Sequence, residues 1–134
     1  MQEPTAATLS DAPPCVARDE TRLFLFVCKD SPIGPDGRVE HLEGHLAHVE
    51  ANWRRYVVAG PMRRPGETAF CGSCFLVRAK DADEAWSIMH GDPYITSGLY
   101  ANIELTEITP SIGLWVGGKT WADAAAIAHR AKGG

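Results

Sequence analysis

The segment between Gly91 and Tyr100 contains the residue types best suited to acid–base chemistry. It places the carboxylate of Asp92 close to two tyrosines, Tyr94 and Tyr100, and next to a proline. Pro93 disfavours the helical conformation at the preceding residue, so we expect Asp92 on an extended bend that follows a helix. A carboxylate at the end of an element projects where binding and catalytic groups are commonly found. Spacing alone favours a simpler interpretation, a helix that ends at Gly91 and is followed by a turn.

His45, much earlier in the chain, is the group that could act together with this carboxylate. Apolar residues recur at steps of three and four between positions 39 and 56, which predicts an amphipathic helix of about four turns. This apolar stripe consists of Val39, Leu42, Leu46, Val49, Trp53 and Tyr56. His45 lies at its edge, about 60° away, where it can reach a cleft at the open end of a sheet. A carboxylate bonded to one ring nitrogen would fix the tautomer and leave the other nitrogen as a base. The helix alone favours a surface histidine without a role.

The elements that must position these two groups follow in the order β-α-β-β-α-β. Residues 22–28 form a continuous apolar run, which is typical of a strand covered on both faces. Asp81 followed by Glu84 resembles a capping box at the start of a second helix. The predicted elements are a strand over residues 22–28, a loop over 31–37, a helix over 39–56, strands over 56–59 and 69–79, a helix over 81–90 and a strand over 101–108.

This order predicts the ferredoxin-like arrangement, an α+β fold with two helices on one face of a four-stranded sheet. The other face is left open, although the first strand is apolar on both sides. The simplest cover is the same face of a second copy, so we predict a homodimer through the sheet faces. The chain then divides into a flexible leader over residues 1–20, a core over residues 21–110, and a C-terminal strap and extra helix over residues 111–134.

Size and composition exclude several classes of protein. A chain of 134 residues with 45% apolar content fits one domain with a hydrophobic core. The formal net charge of -4 argues against a nucleic-acid surface. No apolar run approaches the ~18 residues that a membrane span needs, and we expect no signal peptide. The four cysteines are therefore expected to be reduced thiols in a cytoplasmic protein.

Three stretches of the chain carry motifs that occur together in a fixed order. They are residues 43–49 (EGHLAHV), residues 58–61 (VAGP), and Gly72-Ser73 taken with the segments Asp92–Tyr94 and Gly98–Tyr100. In this order and spacing they resemble the YCII-related family of dimeric α+β-barrel proteins, over about residues 22–109. The resemblance implies a His–Asp pair in a cleft beside the sheet, which falls on His45 and Asp92. It implies no single reaction, although a dehalogenating role has been associated with the family.

Two other patterns suggest metal or redox chemistry, but neither has the features that such sites need. His41, His45 and His48 lie within about 60° on one side of the predicted helix, and imidazole is a common metal ligand. Their spacing is not the His-Glu-x-x-His of zinc peptidases, so a metal site is a minor alternative and we predict none. Cys71 and Cys74 have the redox spacing, but the strand that follows directs their sulfurs to opposite sides, and we interpret them as structural thiols.

The string from Gly113 to Thr120 satisfies the Walker A pattern of nucleotide-binding loops. A phosphate-binding loop should follow a buried parallel strand, with an aspartate on a nearby strand to hold magnesium. Pro110 breaks the preceding strand, and the few residues after Thr120 cannot build a nucleotide-binding sheet. We interpret residues 114–116 as an apolar strap that packs a helix over residues 121–131 on the core.

Two classes of function remain. The first is a small, cofactor-independent enzyme that performs proton abstraction, isomerisation or elimination on a small, aromatic or enolisable substrate. In this enzyme His45 acts as general base or acid and Asp92 orients it. Ser73 is a candidate hydrogen-bond donor to the substrate, and Tyr94 and Tyr100 are candidate walls or phenol donors. The second class is a non-catalytic small-ligand binder or sensor that uses the same cleft. Neither class involves nucleic acid or a membrane.

Overall fold

The computed structural model describes residues 12–133, whose contacts divide the chain into two compact units. The larger unit, Thr21–Thr109, contains one four-stranded sheet and four helices. The strands are β1 (Arg22–Asp30), β2 (Tyr56–Met62), β3 (Gly72–Ala79) and β4 (Tyr100–Ile108). The helices are α1 (Gly34–Glu40), α2 (Leu42–Ala51), α3 (Ala82–His90) and α4 (Pro93–Thr96), with a 3-10 turn at Trp53–Arg55. This order confirms the predicted α+β, ferredoxin-like fold.

The sheet has the strand order β2-β3-β1-β4, and all neighbouring strands are antiparallel. The core lies on the face that includes the aromatic side chains of Phe24 and Phe26 on β1 and Phe75 on β3. Phe26 pairs with Phe75 on one side and with Leu105 on the other. Alternate residues of a strand point to opposite faces, so Leu25 and its neighbours two positions away lie on the face opposite this core. The central strands are thus apolar on both faces.

Helix α3 covers part of the core face and begins where the sequence predicts. The side chain of Asp81 accepts a hydrogen bond from the backbone N–H of Glu84 at 2.8 Å, which caps the first turn. Ala85 and Met89 are buried, and Trp86 contacts Phe26 edge-to-face with ring centroids 4.9 Å apart. The predicted helix start at Asp81 is confirmed.

The single helix predicted over residues 39–56 is wrong. The chain forms α1 and α2 in its place, separated at His41, and then the 3-10 turn. Part of the predicted loop at residues 31–37 is also helical, because α1 begins at Gly34 with Pro35 in its first turn. Proline suits this position, since its missing N–H would have no partner inside the helix. Turn-forming residues therefore marked a helix start rather than a loop.

The apolar stripe does not pack into the core as its periodicity suggests. Helix α2 has no buried residue, and Leu42 and Leu46 are 44% and 45% exposed. Strand β2 also differs from the prediction, because it continues through Gly60 and Pro61 to Met62. A proline is tolerated there because β2 is an edge strand, whose outer N–H groups have no ladder partner.

The smaller unit contains the described residues of the N-terminal segment and those from Pro110 onward. It has a hairpin of β5 (Ile112–Gly113) and β6 (Gly118–Lys119), followed by α5 (Ala124–Ala131). The Walker A-like string thus spans a hairpin, not the strand–loop–helix of a phosphate-binding loop. Helix α5 begins three residues later than the predicted start at Trp121, after Asp123, which accepts from the N–H of Ala126 at 3.0 Å.

Part of the predicted leader is paired in this unit. Val16 donates from its backbone N–H to the carbonyl of Lys119 at 2.8 Å, and Lys119 donates to the carbonyl of Pro14 at 2.9 Å. Residues 1–11 lie outside the described residues. The strap at residues 114–116 and the division into leader, core and appendage stay predictions. Between residues 12 and 133, no helix is long and apolar enough to cross a membrane.

Candidate active site

Asp92 stands between α3 and α4 as the N-cap of α4. Its backbone is extended, with φ -93° and ψ 120°, as expected for a residue that precedes Pro93. Its carboxylate accepts a hydrogen bond from the N–H of Tyr94 at 2.9 Å, and its own N–H donates to the carbonyl of Met89 at 3.0 Å. The side chain is 0% exposed. The local sequence therefore fixes a carboxylate in the protein interior.

His45 on α2 contacts this carboxylate directly. Its Nδ1 lies 2.8 Å from Oδ2 and 2.9 Å from Oδ1 of Asp92. The approach of α2 to α4 depends on Gly44, because a Cβ at that position would lie 2.9 Å from Cγ of Pro93. The imidazole stacks on the ring of Tyr94, with centroids 3.8 Å apart and planes inclined by 2°. The structure thus brings together two residues that are 47 positions apart in the chain.

The contact with Asp92 determines the tautomer of the neutral His45 imidazole. An ionised carboxylate can only accept hydrogen bonds, so Nδ1 of His45 carries the proton when the ring is neutral. Nε2 then has a free lone pair and makes no hydrogen bond to any other residue that the structure describes. The side chain is 15% exposed and lines a cavity. An imidazole held in this way can accept a proton through Nε2 at the cavity wall.

The cavity has a volume of about 430 Å³, which is enough for a small organic molecule. It is lined by Arg38, His45, Leu46, Val49, Glu50, Trp53, Tyr56, Ala59, Gly60, Pro61, Ser73, Phe75 and Tyr94. Four of these residues belong to the apolar stripe. These four residues form a wall of the cavity instead of filling the core, whereas Val39 and Leu42 are exposed outside it.

The three predicted substrate-binding residues occupy different positions around the cavity. Ser73 and Tyr94 line it, whereas Tyr100 is not among the lining residues. The hydroxyl of Tyr100 donates to Oγ of Ser73 at 2.7 Å, and that of Tyr94 donates to the carbonyl of Arg38 at 2.8 Å. Burial raises the pKa of the Tyr100 phenol, although the bond to Ser73 opposes the effect. Tyr100 therefore remains protonated at neutral pH, and it fixes the position of the Ser73 hydroxyl without lining the cavity itself.

Arg38 and Tyr56 line the cavity but were not predicted as site residues. Arg38 forms a salt bridge with Asp30 at 2.9 Å and also bonds Ser73, which is 35 positions away. No local pattern reveals such a contact; the nearest signal is the opposite charge of Asp30, eight positions earlier. The hydroxyl of Tyr56 is buried without a hydrogen-bond partner, and burial followed by the charge of Asp92 raises its pKa.

The histidines and cysteines behind the metal and redox alternatives lie in different surroundings. No group of three or more His, Cys, Asp or Glu side chains within residues 12–133 could hold a metal ion. The ring of His48 packs against Gly91, where a Cβ would lie 2.6 Å from its Cε1, and does not join His45 at the cavity. Cys71 and Cys74 are free, and β3 begins between them at Gly72.

Fold and site together define a ferredoxin-like α+β protein with a buried carboxylate and a histidine at the wall of a small-molecule cavity. A model of the YCII-related domain matches residues 22–109, and the chain belongs to this family. A solved structure with the same fold is 5-chloro-2-hydroxyhydroquinone dehydrochlorinase (TftG) from Burkholderia phenoliruptrix AC1100, in complex with 2,5-dihydroxybenzoquinone. It is 28% identical, with a TM-score of 0.59, and the match covers 69% of this chain and 96% of that chain. A search of curated proteins found no match.

Proposed function

We propose that this chain is a small enzyme that transfers protons on a small, hydroxylated ring substrate. His45 acts as the general base, and as the general acid when it returns the proton, while Asp92 orients it. The observation that carries this proposal is the contact of 2.8 Å between His45 Nδ1 and a fully buried carboxylate, with the ring at the cavity wall. An imidazole oriented in this way lowers reaction barriers through proton transfer.

The reaction class we favour is elimination of a hydrogen halide, with isomerisation as the simpler variant. The dehydrochlorinase with 28% identity and the same fold supports this choice. In such an elimination the proton passes to a base and the halide leaves with the bonding electron pair. Imidazole moves protons without assistance, so the proposed chemistry needs no cofactor.

The remaining site residues have supporting roles in this proposal. Ser73 donates a hydrogen bond to the substrate, and Tyr100 orients Ser73 through its bond of 2.7 Å. Tyr94 forms a wall and holds the plane of the imidazole through their stacking contact. The apolar stripe residues at the cavity supply contact area for a ring.

We also propose that the chain is a homodimer through the sheet face opposite the helices. Leu25 and Val27 on β1 point to this face, together with Leu76 of β3, which pairs with both Leu25 and Val58. An apolar sheet centre of this kind favours burial against a second copy. Sedimentation equilibrium at micromolar concentration measures the mass, and a monomer would contradict the proposal.

The proposed place of action is the cytoplasm. All four cysteines are free thiols, which supports a reducing compartment. Secretion of the active protein to the outside of the cell, measured by fractionation, would contradict this assignment.

Chloride release from 5-chloro-2-hydroxyhydroquinone tests the enzyme proposal. We expect the wild-type protein to release chloride faster than buffer alone, and the His45→Ala variant to lose turnover while it still binds the ring. A ligand-binding or sensing protein is the alternative. It would bind hydroxylated rings equally well with and without His45, and would release no halide from a panel of chlorinated phenols and hydroquinones.

A further inference from the structure

The guanidinium of Arg38 is held in one orientation at the cavity wall. Its Nε and Nη2 donate to the two carboxylate oxygens of Asp30 at 3.3 and 2.9 Å, and Nη2 also donates to the carbonyl of Gly72 at 2.9 Å. Three rings lie around the guanidinium carbon: Phe70 at 5.3 Å, Tyr94 at 5.8 Å and Tyr100 at 5.9 Å. The side chain is 14% exposed. A guanidinium fixed in this way loses little conformational entropy when it binds a ligand.

One part of this guanidinium has no acceptor. Arg38 has five N–H donors, and those of Nε and Nη2 are bonded to Asp30, Gly72 and Ser73. The two N–H groups of Nη1 donate to no residue in the part of the chain that the structure describes. Since Arg38 lines the cavity, these donors are available to a ligand there.

The hydroxyl of Ser73 is a second fixed donor beside them. Its Oγ accepts from the hydroxyl of Tyr100 at 2.7 Å and lies 3.2 Å from Nη2 of Arg38, whose two N–H groups also donate to Asp30 and Gly72 at 2.9 Å. Because Tyr100 is the donor in their bond, the proton of the Ser73 hydroxyl is free for a ligand in the cavity that Ser73 also lines. Arg38 and Ser73 therefore present a cationic donor and a neutral donor next to each other.

The donors of the cavity need acceptors that the protein does not supply. Tyr56 also lines the cavity, but its hydroxyl oxygen is fully buried, so it is not counted among the donors that a ligand reaches. An apolar ligand would displace water from Nη1 of Arg38 without replacing its hydrogen bonds, so a ligand that brings oxygen acceptors is favoured over an apolar ligand of the same size. Glu50 also lines the cavity, but it is exposed, and solvent screens its charge.

We propose that Arg38 Nη1 and Ser73 Oγ form an oxyanion subsite, which binds the ionised hydroxyl oxygen of a phenol or enol substrate. This proposal rests on the proposed function, whose substrate class it specifies as small rings with an acidic hydroxyl. When a substrate hydroxyl loses its proton to Nε2 of His45, the oxygen keeps the electron pair and the negative charge. A preorganised cationic donor stabilises the charge at that moment.

Binding of 4-nitrophenolate and of its neutral methyl ether, 4-nitroanisole, tests the subsite without any turnover. Equilibrium dialysis at a pH where 4-nitrophenol is ionised measures both dissociation constants. We expect the wild-type protein to prefer the phenolate. The double variant Asp30→Asn/Arg38→Met removes both charges of the buried pair, so no charge is left unpaired. It should weaken phenolate binding on the order of ten- to a hundredfold and change anisole binding less than about threefold.

Ser73→Ala is the second variant, because it leaves the salt bridge in place. It should weaken phenolate binding up to about tenfold through loss of one neutral donor. Equal losses for the phenolate and the anisole, or no wild-type preference for the phenolate, would overturn the subsite. These results are independent of turnover, so failure of the subsite leaves the His45–Asp92 enzyme standing. Conversely, a phenolate preference in a protein that never turns over a substrate refutes the enzyme and retains the subsite.

Discussion

The exchange Asp92→Asn changes the site by one charge and almost no volume. The carboxylate accepts from Tyr94 N–H and from His45 Nδ1 in a fully buried position. Asparagine caps helices as well as aspartate, so we expect its amide oxygen to keep the bond to Tyr94. Its amide NH₂ then faces Nδ1, which can only respond as an acceptor. The proton of the neutral imidazole therefore moves to Nε2, and the lone pair that served as the base is lost.

The size of the effect follows from these two bonds. General acid–base catalysis contributes about 10²- to 10⁴-fold to a rate, so kcat/KM should fall by that factor. The loss in the free energy of unfolding should be smaller than the loss in transition-state stabilisation. A bond to an ionised acceptor, worth about 1.5–3 kcal/mol, is exchanged for a neutral bond worth about 1 kcal/mol. The variant should therefore fold and still bind the ring.

Nitrogen NMR of the imidazoles measures the tautomer, with His45→Gln used to assign the His45 signals. We expect the neutral ring of the wild type to be protonated at Nδ1 and that of Asp92→Asn at Nε2. Chloride release then compares the two proteins under the same conditions. An Nδ1 proton that persists in the variant would refute the proposed role of Asp92. So would a kcat/KM within about threefold of the wild type while the tautomer has changed.

Three further predictions concern the residues that support the pair. Gly44→Ala should lower the free energy of unfolding by about 1–3 kcal/mol, because the new Cβ would collide with Pro93. At an open helix position the same change would raise the free energy of unfolding by about 1 kcal/mol. A stabilised variant in urea melts would therefore contradict the close approach. Tyr100→Phe should lower the free energy of unfolding by about 1 kcal/mol through the lost bond to Ser73, and it should weaken phenolate binding. If the free energy of unfolding and the binding both stay unchanged, Tyr100 does not orient Ser73. Burial raises the pKa of the Cys28 thiol to about 12, so the folded state keeps a proton that the unfolded state loses from about pH 9. The stabilisation that the protonated thiol provides is complete below pH 9 and declines toward pH 12. Cys28→Ala lacks this titration, so the urea midpoints of wild type and variant should converge as the pH rises. A constant difference between the midpoints would exclude a link between thiol ionisation and stability.

The fold could be predicted because its signals are local. The apolar run of β1, the cap at Asp81 and the proline after Asp92 each report on a few neighbouring residues, and the four strands and the helix after Asp81 formed in the predicted order. The proximity of His45 and Asp92 was a different kind of prediction. It depended on the resemblance to the family, because helical periodicity alone favoured a surface histidine.

The apolar stripe shows why periodicity can mislead. A spacing of three and four reports that one side of a helix is apolar, but it does not report what that side faces. Here Leu46, Val49 and Trp53 face a cavity, so they remain accessible while they still belong to a continuous apolar surface. The break at His41 was hidden for the same reason, since the two helices continue one apparent pattern.

Arg38 could not be found from the sequence. The residues that contact its guanidinium come from the end of β1, the start of β3 and α4, which become neighbours only when the sheet is formed. The chain around Arg38 is rich in turn-forming residues and predicted a loop, so its orientation could not be inferred. Residues that act through long-range contacts of this kind require the structure.

Chemical rescue of His45→Ala tests most directly whether His45 moves the proton. The variant lacks the base but keeps Asp92 and the cavity, and free imidazole can occupy the vacated space. We predict that turnover of 5-chloro-2-hydroxyhydroquinone by the variant is lost and then rises with imidazole concentration, whereas imidazole does not accelerate the wild type. A variant that binds the substrate but does not respond to imidazole, or one that is as active as the wild type without it, would contradict proton transfer by His45.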